Sequence, residues 1–76
     1  MTSLRDLPVG DVGILADPQV PARLATRLAE LGLRAGARVQ VLQRAVGGAR
    51  VLSVTGSRIA VDARTAAALQ VRVEHP

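Results

Sequence analysis

The sequence predicts a mainly β fold, a small five-stranded barrel with one amphipathic helix after the first strand and a short helical turn before the last. Three observations carry this reading. Apolar residues make up 49% of the chain and are almost all Val, Leu, Ile and Ala, enough for a globular core and too many for a disordered segment. In several short runs they alternate with a period of two between glycine-bearing turns. In one stretch only, the period changes to that of a helix. Seventy-six residues leave room for one domain, spanning 1–76. A chain this short buries only about 60% of the surface it exposes when unfolded, so its core has to be simple.

Taken in order, Ser3 to Gly10 reads as a lead-in closed by a turn, since Pro8 fixes its φ and Gly10 tolerates the positive φ that many turns need. A first strand follows, with Val12 and Ile14 alternating toward one face until Asp17-Pro18 interrupts the extended run. Pro21 sits where a first helical turn accepts it. From Ala22 the apolar residues Leu24, Leu28 and Leu31 fall at i, i+4 and i+7, and Arg23, Arg27 and Glu30 repeat that spacing on the opposite side. Gly32 ends this helix as a glycine in the left-handed position, with Leu33 placed for the apolar contact that accompanies such a cap.

Arg34 to Gly36 then turns tightly into a strand from about Ala37 to Arg44, with Val39 and Val41 facing inward and Arg38 and Gln40 outward. Val46 to Gly48 is a hairpin turn, and the strand returns over about Arg50 to Thr55 with Leu52 and Val54 on one face. Gly56-Ser57 turns the chain again into a strand over Arg58 to Val61. Asp62 caps a short helical turn over Ala63 to Leu69. Val71 and Val73 alternate in a last strand that would close the sheet, before a tail through His75 and Pro76 that reads as frayed. Five short strands with one inserted helix are the signature of a strongly bent SH3-like barrel.

Composition also narrows the function. There is no Phe, Tyr or Trp, so the usual stacking platforms for bases and the usual walls of proline-peptide grooves are missing. All ten basic residues are Arg, a pattern that fits codon bias in a GC-rich genome. The net charge of +4 nonetheless draws the chain toward an anionic partner, whether an acidic protein face, a membrane surface or nucleic acid. Without cysteine there is neither a disulfide nor a thiolate ligand. No apolar stretch reads as a signal peptide or approaches the ~20 residues needed to span a bilayer, and the cytoplasm is the default compartment.

Several segments together resemble the FeoA family, ferrous iron transport protein A, over nearly the whole chain. The opening Leu4-Arg-Asp-Leu-Pro-Val-Gly10 is similar to the family's lead-in of a leucine pair before a glycine. Arg27-Leu-Ala-Glu-Leu-Gly-Leu-Arg-Ala-Gly36 is similar to its most specific motif, an arginine-leucine pair followed by leucine-glycine and a glycine turn. The strand Ala37 to Ala45 follows as in the family. Two positions depart: Ala49-Arg50 stands where the family often has aspartate-proline, and Val61-Asp62 where it has leucine-arginine. The resemblance implies an SH3-like domain acting in bacterial ferrous iron uptake. Its implied partner is FeoB, a membrane iron transporter with a cytosolic GTP-binding domain, so the chain would be peripheral to the membrane only through that transporter. Self-association into a homo-oligomer remains open.

The residues themselves offer no catalytic set. There is no Cys, the single His has no nucleophile or carboxylate at a suggestive spacing, and Ser3, Ser53 and Ser57 read as turn or strand residues. The candidate metal ligands Asp6, Asp11, Asp17, Glu30, Asp62, Glu74 and His75 form no recognisable set, and they read as solvated carboxylates balancing arginines. No cofactor is expected. The glycines read as turn devices, since none lies in a phosphate-cradling context. Leu31 and Leu33, flanking the helix exit, are expected to seal the core.

Arg23, Arg27 and Arg34 are the candidate partner-binding residues. They form either a surface for an anionic partner or simply the helix's wet face, with Glu30 offsetting part of the charge. An exposed arginine also has the chemistry to act on a partner's nucleotide as an arginine finger, in which case GTP hydrolysis would accelerate. The reading that follows is a non-catalytic accessory protein that binds the transporter's cytosolic part. The alternative is a stand-alone SH3-like regulatory module related to the C-terminal domain of DtxR-type iron-dependent repressors. Such a repressor needs helix-turn-helix and dimerisation segments that a chain starting at Met1 lacks, so the module would act in trans. Nucleic-acid binding driven by charge alone is a third reading, and it is not expected without aromatic side chains.

Overall fold

A computed structural model describes residues 1–74, so the expected tail at His75 and Pro76 lies outside the described residues. Six strands form one antiparallel sheet: β1 (Thr2–Ser3), β2 (Val12–Leu15), β3 (Arg38–Arg44), β4 (Arg50–Val54), β5 (Ser57–Val61) and β6 (Gln70–Val73). Two helices accompany it, α1 (Ala22–Glu30) and α2 (Ala63–Ala68). Spatial order is β1-β6-β2-β3-β4-β5, with every neighbouring pair antiparallel.

Two features of the expected barrel are corrected. The strands number six, because Thr2 and Ser3 pair with Val71 and Gln70; a two-residue strand is too short to show any periodicity. The sheet is also open, since β1 and β5 are its two edges and do not pair with each other. Instead the lead-in covers the inner face. Leu4 and Leu7 are fully buried there, and the Leu4 amide donates to the Leu69 carbonyl at 2.9 Å.

The inner face otherwise follows the period-two pattern. Val39, Val41, Leu52, Val54 and Val71 are all fully buried. In β2, Val12 and Ile14 share one face as expected, and it is the outer one, where they are half-buried, while Gly13 and Leu15 point inward. A Cβ at Gly13 would lie 2.8 Å from the Val71 Cβ, so the bend between β2 and β6 leaves room for hydrogen alone. β3 carries a bulge between Val41 and Gln43, which adds to the curl of the sheet.

Both hairpins turn through left-handed backbone. Gly47 and Gly48 serve the first. The second uses Thr55 and Gly56, with φ of 47° and 81°, so Ser57 belongs to β5 and not to the turn, one residue earlier than the sequence suggested. The motif closing α1 forms as the glycine predicted. Gly32 has φ 93°, its amide donates to the Ala29 carbonyl at 3.0 Å, and the Leu33 amide donates to the Leu28 carbonyl at 2.8 Å.

Leu33 and Leu28 both enter the core, whereas Leu31 is 49% exposed, against the expectation that it would seal the interior. Nor do the leucines of α1 plug the sheet as a set. Leu28 is the helix's buried residue and Leu24 only half-buried, because Leu4, Leu7, Leu33 and Leu69 already fill the space over the inner face.

Candidate functional site

The surface around α1 is built by the two loops that fix the helix. Pro21 supplies its N-terminal boundary, with extended backbone and a carbonyl that accepts from Ala25. The Gly32 cap supplies the other end, releasing the chain into the Arg34–Ala37 turn, where the Ala37 amide donates to the Arg34 carbonyl at 3.0 Å.

Arg23, Arg27 and Arg34 are all exposed, and among the described residues none of the three is in an ion pair. Arg23 and Arg27 lie one helical turn apart. Arg27 borders a groove of about 240 Å³ between α1 and the β5–α2 corner, lined also by Leu24, Leu28, Leu31, Ala60 and Val61. Arg34 borders a second groove of about 270 Å³ on another side of α1, against Asp17, Pro18, Ala29 and Leu33. The helix thus presents two grooves, each with one guanidinium and one carboxylate at its margin, Arg27 with Asp62 and Arg34 with Asp17, where the sequence suggested a single cluster.

Several other charges are spent on structure. Arg38 Nε donates to both carboxylate oxygens of Glu74, at 3.1 and 3.0 Å, across 66% and 37% exposed side chains. The hydrogen bond from Arg38 is the main cause that holds the Glu74 carboxyl below its usual range, and the same bond raises the Arg38 guanidinium. Asp62 accepts the Thr65 amide at 2.7 Å as the cap of α2, and that bond lowers its carboxyl. Asp6 accepts from the Ser3 hydroxyl at 3.3 Å. Among the described residues, no three His, Cys, Asp or Glu side chains converge, and the sequence-level candidate His75 lies outside them.

Two features escaped the sequence. Arg50 is only 8% exposed: Nη1 donates to the Gly48 and Ala49 carbonyls at 2.7 and 3.1 Å, and Nη2 to the Arg5 carbonyl at 2.9 Å. No periodicity rule anticipates a guanidinium seated on carbonyls. The second is the cleft of about 280 Å³ on the outer face, lined by Val12, Arg38, Gln40, Ser53, Thr55 and Gly56. The outward alternation of Arg38 and Gln40 was its only advance signal.

Comparison with known proteins identifies the family and the fold. The FeoA domain family matches residues 2–73. A crystal structure of an iron uptake regulatory protein, FeoA, superposes with a TM-score of 0.86 at 30% identity, over 96% of each chain. A FeoA from Stenotrophomonas maltophilia complexed with zinc, described as a prokaryotic SH3 domain protein, superposes with a TM-score of 0.73 at 24% identity, over 93% of this chain and 89% of that one. A manganese-dependent transcriptional repressor shares the fold, with a TM-score of 0.84 at 20% identity over 95% of this chain and 41% of the repressor. No match was found among the curated proteins.

Proposed function

The chain belongs to the FeoA family, tied to ferrous iron transport, and on that premise we propose that it is a non-catalytic accessory protein that binds the cytosolic part of a FeoB-type ferrous iron transporter. The binding surface is the flank of α1, with Arg23, Arg27 and Arg34 as the residues that meet the partner. The observation that supports this reading is that Arg27 and Arg34 stand at the margins of two leucine-bearing grooves and that, among the described residues, neither is in an ion pair. A groove that offers leucine side chains beside an unpaired guanidinium, on a chain of net charge +4, suits an acidic protein face, and its desolvated centre supplies affinity while the charge supplies orientation and on-rate. The protein works in the cytoplasm, as one domain, and its effect on the transporter is exerted by docking.

Titration of the transporter's purified cytosolic region tests the proposal. Binding at low salt is expected, and charge reversal by Arg27→Glu and Arg34→Glu should weaken it by roughly tenfold or more. Absence of binding by the unaltered chain would remove the reading; intact binding by both reversed variants would remove the arginines from it. Measuring GTP hydrolysis in the same mixtures shows whether docking also alters turnover. The fold shared with the manganese-dependent repressor favours a second reading, a regulatory module acting on such a repressor in trans. A change in the repressor's operator affinity on adding this chain would support that reading over the first.

A further inference from the structure

β5 is an edge strand with few of the devices that usually protect an edge. It runs five residues in unbroken register with β4, from Val54↔Ser57 to Arg50↔Val61, with no proline and no bulge. The opposite edge, β1, is blunted by being two residues long. In a two-residue hairpin the closing pair, here Val54 and Ser57, exchanges both of its ladder bonds. Alternation then turns the backbone groups of Ser57, Ile59 and Val61 toward β4 and those of Arg58 and Ala60 toward the open side.

That open side adjoins the groove between α1 and the β5–α2 corner. Its apolar wall is Leu24, Leu28 and Leu31, with Ala60 and Val61 on the strand side. Leu31, 49% exposed, offers its side chain to this groove. Charge selects the occupant. Arg27 stands at the groove and exposed Arg58 on the strand itself, two cations against the single carboxylate of Asp62, which also lines the groove and accepts the Thr65 amide.

We infer that β5 receives an extended acidic segment of a partner protein as a seventh strand. The segment bonds to the backbone of Arg58 and Ala60, lays one set of alternating side chains over Leu24 and Leu31, and turns its carboxylates to Arg27 and Arg58. The mode is strand addition, which needs no aromatic wall. The inference rests on the transporter reading only for the identity of the protein that carries the segment.

The test uses a synthetic peptide of alternating Val and Glu, its Lys-for-Glu counterpart, and the variant Ala60→Pro. Proline at 60 removes an amide that faces away from β4, so the ladder that holds β5 survives, and a thermal melt checks this. Expected results are amide shifts at Arg58 and Ala60 with the acidic peptide, none with the basic one, and affinity reduced by about tenfold or more in Ala60→Pro. If the variant does not fold, an acidic peptide N-methylated at alternate residues takes its place against the unaltered chain. No binding of the acidic peptide, or equal binding by Ala60→Pro or by the N-methylated peptide, overturns the inference. Transporter binding that survives Ala60→Pro also overturns it and leaves the transporter reading standing. Peptide binding without transporter binding overturns that reading and leaves strand addition standing.

Discussion

Arg50 opens β4 with its guanidinium buried against three backbone carbonyls, those of Gly48, Ala49 and Arg5. It thereby ties the lead-in to the tip of the β3–β4 hairpin, two segments joined by no strand pairing. Truncation removes three hydrogen bonds from a charged donor to part-buried carbonyls. Arg50→Ala should therefore cost about 2–3 kcal/mol, read as a fall in the urea midpoint at unchanged slope; a shift near zero would mean the carbonyls find water instead. Thr55 is strained in the opposite sense. As a β-branched residue at φ 47° it holds a left-handed turn position that side chains like its own avoid. Thr55→Asn, forming with Gly56 the pair most favoured in this turn, should stabilise the fold by about 1 kcal/mol and raise the melting midpoint by about 4–8 °C. A lower midpoint would show that the Thr55 hydroxyl, bonded to the Val54 carbonyl at 2.8 Å, matters more than the backbone strain.

At the scale of elements, the two helices are fixed by different chemistry, and only one of them responds to acid. α1 ends on backbone bonds around Gly32, which do not titrate. α2 begins on the Asp62 carboxylate, and β6 is followed by Glu74, held by Arg38 on β3. Both carboxyls are lowered in the fold, so they stay charged to more acid pH than in the unfolded chain. Their contributions are complete above the ordinary carboxylate range and disappear as pH falls through the lowered values. Stability should stay level from neutral pH to about pH 5 and decline below about pH 4.5. In urea melts across that range, the double variant Asp62→Asn with Glu74→Gln should show a shallower acid decline; an equally steep one would place the acid sensitivity elsewhere. The helix boundaries were legible in advance because caps are local: Pro21, Gly32 and Asp62 act on neighbours within a few residues. Their pairing was not, since Arg38 and Glu74 lie 36 residues apart.

On the scale of the whole molecule, a net charge of +4 is carried on a surface where Arg23, Arg27, Arg34 and Arg58 are all exposed. Association with an acidic partner should accordingly weaken as ionic strength rises past about 0.1 M, where the screening length is ~10 Å. Affinity that is flat across a salt series would assign the interface to the apolar grooves alone. Among the described residues no helix is long and apolar enough to cross a membrane. The alternation of Val39, Val41, Leu52, Val54 and Val71, the helical period over Ala22–Glu30 and the glycine turns specified by themselves a curled antiparallel sheet with one long helix, because pleat and helix repeat impose their periods on neighbouring residues. They also carried the family motifs. What they could not hold was the outcome of packing between distant segments. That Leu4 and Leu7 would take the interior and leave Leu31 outside, that Gly13 would face Val71 with no room for a side chain, and that β5 would remain an open edge beside a groove were settled only when the sheet curled. Each depends on which of several apolar candidates reaches a shared volume, and that competition is decided in three dimensions.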